Sequence, residues 1–149
     1  MFLKKKYVSP EKEYELKIPF GWNIETDPEG NGNTRMIYDK NGKCTLRITT
    51  MFLNPPKDYD KPGKLAIMKR KKSDDEFYEK NNLYWLKYSE SGSDNKGKLL
   101  MNYWIVTKDQ LPIPYFIVSL TIPKDELKDK KITDEIKTCN EIIESLVIN

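Results

Sequence analysis

The chain has 149 residues, 26 basic and 23 acidic, for a formal net charge of +3, with no histidine and 11% aromatic residues. That aromatic content excludes a disordered chain, which lacks the groups that bury area, and so small a net charge does not by itself mark a nucleic-acid binder. The absence of histidine removes the commonest general base and the commonest metal ligand.

One domain spanning residues 1–149 is expected, with core enough to fold without staples. Residues 1–75 carry 16 basic and 11 acidic side chains and residues 76–149 carry 10 and 12, a mild basic polarity toward the N-terminal half. The first seven residues contain Lys4, Lys5 and Lys6 but no apolar stretch behind them, so they are not a signal peptide. The longest apolar runs, 99–106 and 115–122, are too short to span a bilayer. A cytoplasmic chain without a membrane span is expected.

Tyr14, Leu16 and Ile18 alternate with charged residues and predict a half-buried strand. Pro19, Phe20 and Gly21 interrupt it, and Trp22 and Ile24 resume the alternation. Residues 27–33 form a turn-rich loop. Residues 35–39 and 43–53 flank Asn41-Gly42, the strongest short hairpin signal, because both turn residues of a two-residue loop need positive φ. Leu46, Ile48 and Phe52 share one face of the second strand. After Asn54-Pro55-Pro56, residues 60–73 predict a helix, with Pro62 in its first turn and Leu65 and Met68 at helical spacing. Ser73, Asp74, Asp75 and Glu76 resemble a cap and acidic first turn, predicting a short helix through Phe77.

Three longer strands follow. Residues 83–90 put Leu83 and Trp85 on one face, and Tyr84, Leu86 and Tyr88 on the other. Residues 91–97 predict a turn loop. Residues 99–107 group Leu99, Met101, Tyr103 and Ile105, with Trp104 facing away. Residues 115–122 group Phe116, Val118, Leu120 and Ile122. Apolar groups on both faces predict a sheet covered on each side. The last element is a helix capped by Thr133, with Ile132, Ile136, Cys139, Ile143 and Leu146 in one stripe. Strands joined by short turns, with helices between groups of strands, define an α+β domain with a mainly antiparallel sheet.

No catalytic or metal constellation emerges. Cys44 and Cys139 form no C-x-x-C pair and are expected to be buried, reduced thiols. Gly30 and Gly32 precede no helix, so no phosphate loop exists, and no serine lies in a G-x-S-x-G elbow. Asp74, Asp75 and Glu76 suit a helix N-terminus better than a ligand set. Lys69, Arg70, Lys71 and Lys72 are the sharpest charge cluster. They are a candidate anionic-surface patch, set against the simpler role of cations at a helix C-terminus.

The run Tyr14-x-Leu16-x-Ile18-Pro19-x-Gly21-Trp22 resembles the entry strand of the PsbP/Mog-type fold. The ending Ile142-Ile143-Glu144-Ser145-Leu146 is similar to that group's terminal helix, and the order of elements between them matches. The composition, rich in Lys, Asn, Ile and Tyr, resembles that of a low-GC bacterium and points within the group to small bacterial members without assigned function. The resemblance implies an α/β/α sandwich and a role in binding or assembly, as in extrinsic subunits and a factor that binds a small nuclear GTPase. No photosynthetic role is carried over, since nothing resembles a transit peptide.

The expected fold is therefore α+β, a mainly antiparallel sheet with helices packed on it in the Mog/PsbP manner. The alternative is another curved antiparallel sheet, lipocalin-like or NTF-like. The expected function is a non-enzymatic binding or accessory domain acting through a protein–protein surface, with no cofactor, metal or nucleic acid. The candidate surface is Leu111, Pro112, Ile113, Pro114 and Tyr115, a proline-stiffened apolar connection, with Trp104. The alternative function is a small-ligand binder using an aromatic-lined concavity near Trp104 and Tyr88.

Overall fold

The computed structural model describes residues 3–149, so the first two residues of the N-terminal segment lie outside it. The strands of the main sheet are β3 (Trp22–Thr26), β4 (Thr34–Asp39), β5 (Thr45–Thr49), β6 (Phe52–Leu53), β7 (Glu76–Lys80), β8 (Leu83–Asp94), β9 (Gly97–Thr107) and β10 (Ile113–Pro123). They run in the order β3-β4-β5-β10-β9-β8-β7, with β6 pairing β10, and each recorded pairing is antiparallel. A smaller sheet holds β1 (Lys4–Val8), β2 (Tyr14–Pro19) and β11 (Val147–Ile148), in the order β1-β2-β11. The helices are α1 (Pro62–Arg70) and α2 (Lys130–Glu144).

Side-chain alternation divides the core in two. Trp85, Trp104, Val106, Phe116, Val118 and Leu120 point to the face that α2 and the small sheet cover. Leu86 and Ile105 point the other way and meet Ile67 of α1. The expected two-sided cover is present. The corner at Phe20-Gly21, with Gly21 at a φ of 91°, takes the chain from the small sheet into the large one. Tyr14, Leu16 and Ile18 are all buried, as their alternation predicts.

Several local expectations are corrected. Residues 73–77 do not form a helix. Lys72 to Asp75 is a tight turn, with Asp75 N–H bonded to the Lys72 carbonyl at 3.1 Å, and β7 follows. Phe77 and Tyr78 face opposite sides of β7 and stack on Tyr84 and Trp85 of β8, an aromatic pairing across strands that outweighs the local acidic-cap signal. Asp74, Asp75 and Glu76 therefore cap no helix. The two-residue hairpin turn with both φ positive lies at Asn81-Asn82, between the paired Lys80 and Leu83, and not at Asn41-Gly42. The β4–β5 loop is wider and is shaped by helix α2. Residues 91–97 are mostly strand, since Asp94 pairs with Gly97 across a loop of only Asn95 and Lys96. The run 43–53 breaks after Thr49, where Thr50 N–H bonds to the Asn33 carbonyl.

α1 ends at Arg70, short of Ser73. α2 starts one turn earlier than expected: Asp129 is its cap, accepting from Lys131 N–H at 2.9 Å, and Thr133 lies inside the helix. Its stripe holds at Ile132, Cys139 and Ile143, with Leu146 just beyond the helix end. Ile142 is buried in addition, and Ile136 is only half-buried.

Candidate functional site

Two places gather the candidate residues. The first is the corner between α1 and the β9–β10 loop. Lys61, at the cap position of α1, offers no side-chain bond to the helix. Asp109 supplies it from the loop: its Oδ1 accepts the N–H of Gly63 at 3.0 Å and of Lys64 at 3.2 Å. Its Oδ2 accepts the Tyr84 hydroxyl, and that bond pushes the Tyr84 pKa up to about 12. A Cβ at position 63 would overlap the Lys108 carbonyl, so glycine is what lets α1 lie this close to the loop. One carboxylate thus joins loop, helix and sheet.

Beyond this clamp the Leu111–Pro112 peptide is cis, and Leu111 and Pro112 face solvent, Leu111 at 54% exposure. Ile113 and Pro114 are buried, and Tyr115 packs on the cluster under α1. Of the five connection residues, only the first two are thus presented outward. Trp104 is 3% exposed and lies on the opposite face of the sheet.

Leu65 and Met68, whose spacing signals the helix, line its outer side, while Ile67 takes the core position. A shallow groove of about 340 Å³ runs between Tyr59 and these two residues, with Lys61 and Lys64 on its rim. Met68 is 43% exposed. At the other end of α1 the Arg70 guanidinium sits 4.9 Å over the Tyr88 ring, the Lys71 ammonium donates to the Lys72 carbonyl, and Lys69 and Lys72 face solvent. Sequence reasoning missed Tyr59, Lys61 and Lys64. Lys61 and Lys64 carried one signal, basic residues at the N-terminal end of a helix against the preference set by the dipole, and Tyr59 carried none.

The second place is a groove of about 290 Å³ between α2 and β7–β8, floored by Tyr78, Trp85 and Trp104. Both tryptophans are buried, at 2% and 3% exposure. Lys87 lies 5.4 Å over the Trp104 ring, and Lys80 pairs with Glu144 at 3.5 Å. Tyr88 is not here: it pairs with Tyr103 on the α1 face. The single concavity expected near Trp104 and Tyr88 does not exist, because adjacent residues of a strand point to opposite faces and Trp104 pairs with Lys87 instead.

Among the described residues no three of Cys, Asp and Glu gather to hold a metal ion, and no helix is long and apolar enough to cross a membrane. Cys44 and Cys139 are both buried and free. Burial, and then Glu135, push the Cys44 thiol up to about 12; burial raises Cys139 as well.

No protein-family model matches the chain, and no curated protein matches it. Solved structures do. A protein from Bacteroides thetaiotaomicron superposes with a TM-score of 0.67 at 17% identity over 97% of this chain. This chain spans about half of that protein, 48% of its length. Cyanobacterial PsbP from Synechocystis gives a TM-score of 0.59 at 9% identity, covering 100% of this chain and 94% of that one. Mog1p of Saccharomyces cerevisiae, a Ran-binding protein, gives 0.54 at 8% identity, covering 99% and 96%. The fold is Mog/PsbP-like; at these identities the likeness is one of fold.

Proposed function

We propose that this chain is a non-enzymatic binding or accessory domain that engages another protein through the corner of α1 and the β9–β10 loop. The observation that carries this reading is the clamp of Asp109 between loop and helix, with an exposed apolar side chain on each, Leu111 on the loop and Met68 on the helix. A contact surface that is already rigid loses little entropy on binding. That Mog1p, of similar fold, is a Ran-binding protein supports an interaction role in kind, not a partner. The reading takes the protein as cytoplasmic, with both thiols reduced.

A photo-crosslinking residue placed at Met68 or Leu111 should give a discrete protein adduct in the cells that make the protein. The same residue at exposed Lys137 on α2 should not. Adducts equal at all three positions, or none at the first two, would sink the reading. The groove beneath α2 supports small-ligand binding less well, since its tryptophans are buried and its lysines have partners.

A further inference from the structure

We infer that the partner segment received by α1 is an acidic peptide carrying an apolar side chain, which enters the groove between Tyr59, Leu65 and Met68. This rests on the reading of the α1 corner as the contact surface and names the chemistry of what it contacts.

The charge distribution is the first support. Residues 57–72 hold seven cations, Lys57, Lys61, Lys64, Lys69, Arg70, Lys71 and Lys72, against Asp58 and Asp60. Asp74, Asp75 and Glu76 follow at once and balance part of the Lys69–Lys72 end, which leaves Lys61 and Lys64 at the other end of the helix. Among the described residues none of these seven is in an ion pair, whereas Lys4, Lys6, Lys43 and Lys80 are.

The position of the charges is the second. Lys69 and Arg70 lie in the last turn of α1, where the helix dipole favours cations, and need no other reason. Lys61 and Lys64 lie at the opposite end, where the dipole disfavours them. The free amides there are already taken by Asp109, so an anion arriving at this end meets lysine side chains and not the helix terminus. Asp109 offsets the dipole at this end, while the side-chain ammonium groups of Lys61 and Lys64 form no ion pair among the described residues and are left for an acidic partner.

The third support is the groove itself. It is lined mainly by the carbons of Tyr59, Leu65 and Met68, with Lys61 and Lys64 beside it. An apolar anchor flanked by carboxylates satisfies both features at once. A nucleic-acid strand fits less well, because single strands need free aromatic platforms. Tyr59 already carries the Lys57 ammonium 5.5 Å from its ring centre.

The test is fluorescence anisotropy with the full chain at physiological salt. Three short labelled peptides are compared: Glu and Asp flanking a central Leu-Phe pair, the same acids flanking Ala-Ala, and Gln and Asn flanking Leu-Phe. The first should bind. The other two, and the Lys61→Glu/Lys64→Glu variant with the first, should each bind about tenfold more weakly or worse. Reversing charge at a helix N-terminus favours the helix but places two carboxylates near Asp109, so the thermal midpoint is measured beside it and a Lys61→Gln/Lys64→Gln variant, which adds no negative charge, should lose the same binding. Equal binding of the acidic and neutral peptides, or an unaffected variant, would overturn the proposal. So would binding of phosphatidylserine vesicles or an oligonucleotide with no binding of the acidic peptide. If the peptide fails while crosslinks at Met68 and Leu111 persist, the partner chemistry falls and the contact surface stands. If both fail, the surface itself is wrong.

Discussion

The Glu135 carboxylate of α2 lies in the space that a side chain at Gly42 would fill, and from there it accepts the backbone N–H of Lys43 at 2.9 Å and of Cys44 at 2.7 Å. The β4–β5 loop is thus held by a helix more than ninety positions away in sequence. Glycine at 42 matters here for the room it leaves, since its φ is not in the left-handed region.

Gly42→Ala should therefore destabilise the protein by about 1 kcal/mol, since it displaces a carboxylate that holds one exposed and one part-buried hydrogen bond. Glu135→Ala should cost a similar amount. In the Glu135→Ala background the Gly42→Ala change should cost much less, because the atoms that it would displace are gone. Urea midpoints of the four proteins measure this; additive losses would contradict the contact.

The α2 stripe carries much of the larger core. Ile143→Ala should lower stability by about 2–5 kcal/mol, the range for emptying a buried aliphatic site, because Ile143 is 3% exposed. Ile136→Ala, at a half-buried position, should cost clearly less. A denaturant midpoint for Ile143→Ala equal to that of the wild type would refute its place in the core.

Both thiols should react slowly in the native protein. Cys139 is fully buried and Cys44 nearly so, at 0% and 2% exposure, and burial raises both pKa values, so little thiolate forms at neutral pH. A chromogenic disulfide reagent should release two equivalents only on unfolding. Fast release from the native protein, or one with no free thiol, would contradict the arrangement.

Tyr84 should titrate near pH 12 in the folded protein, against about 10 when unfolded. Its hydroxyl proton is held by Asp109, so the contribution of this bond to stability is whole below about pH 10. Above that, the unfolded chain releases the proton first, and stability falls as pH rises toward 12. Absorbance titration of tyrosinate should lose one high-pH component in Tyr84→Phe, and Asp109→Asn should shift that component downward. An unchanged titration in Asp109→Asn would break the assignment.

Features that repeat over a few residues are legible in the chain before it folds. Alternation placed Leu83 and Trp85 opposite Tyr84, Leu86 and Tyr88, and put Trp104 across the sheet from Ile105; the stripe through Ile132, Cys139 and Ile143 identified α2. The run Lys69, Arg70, Lys71 and Lys72 was equally visible, being contiguous. What depended on distant partners was not legible. Phe77 and Tyr78 became strand because Tyr84 and Trp85 stack on them. The charged segment from Lys4 to Val8 became a strand because β2 offered it an edge. Leu65 and Met68 turned outward because Gly63 and Ile67 fit the sheet and the Lys108 backbone more closely. The cap of α1 came from Asp109, dozens of residues later, and the β4–β5 loop took its shape from Glu135. Side-chain periodicity is a property of the local backbone and can be read from neighbours in the chain. Which face is buried, which end is capped and which groove remains open are settled by contacts between elements, and those exist only once the chain has closed on itself.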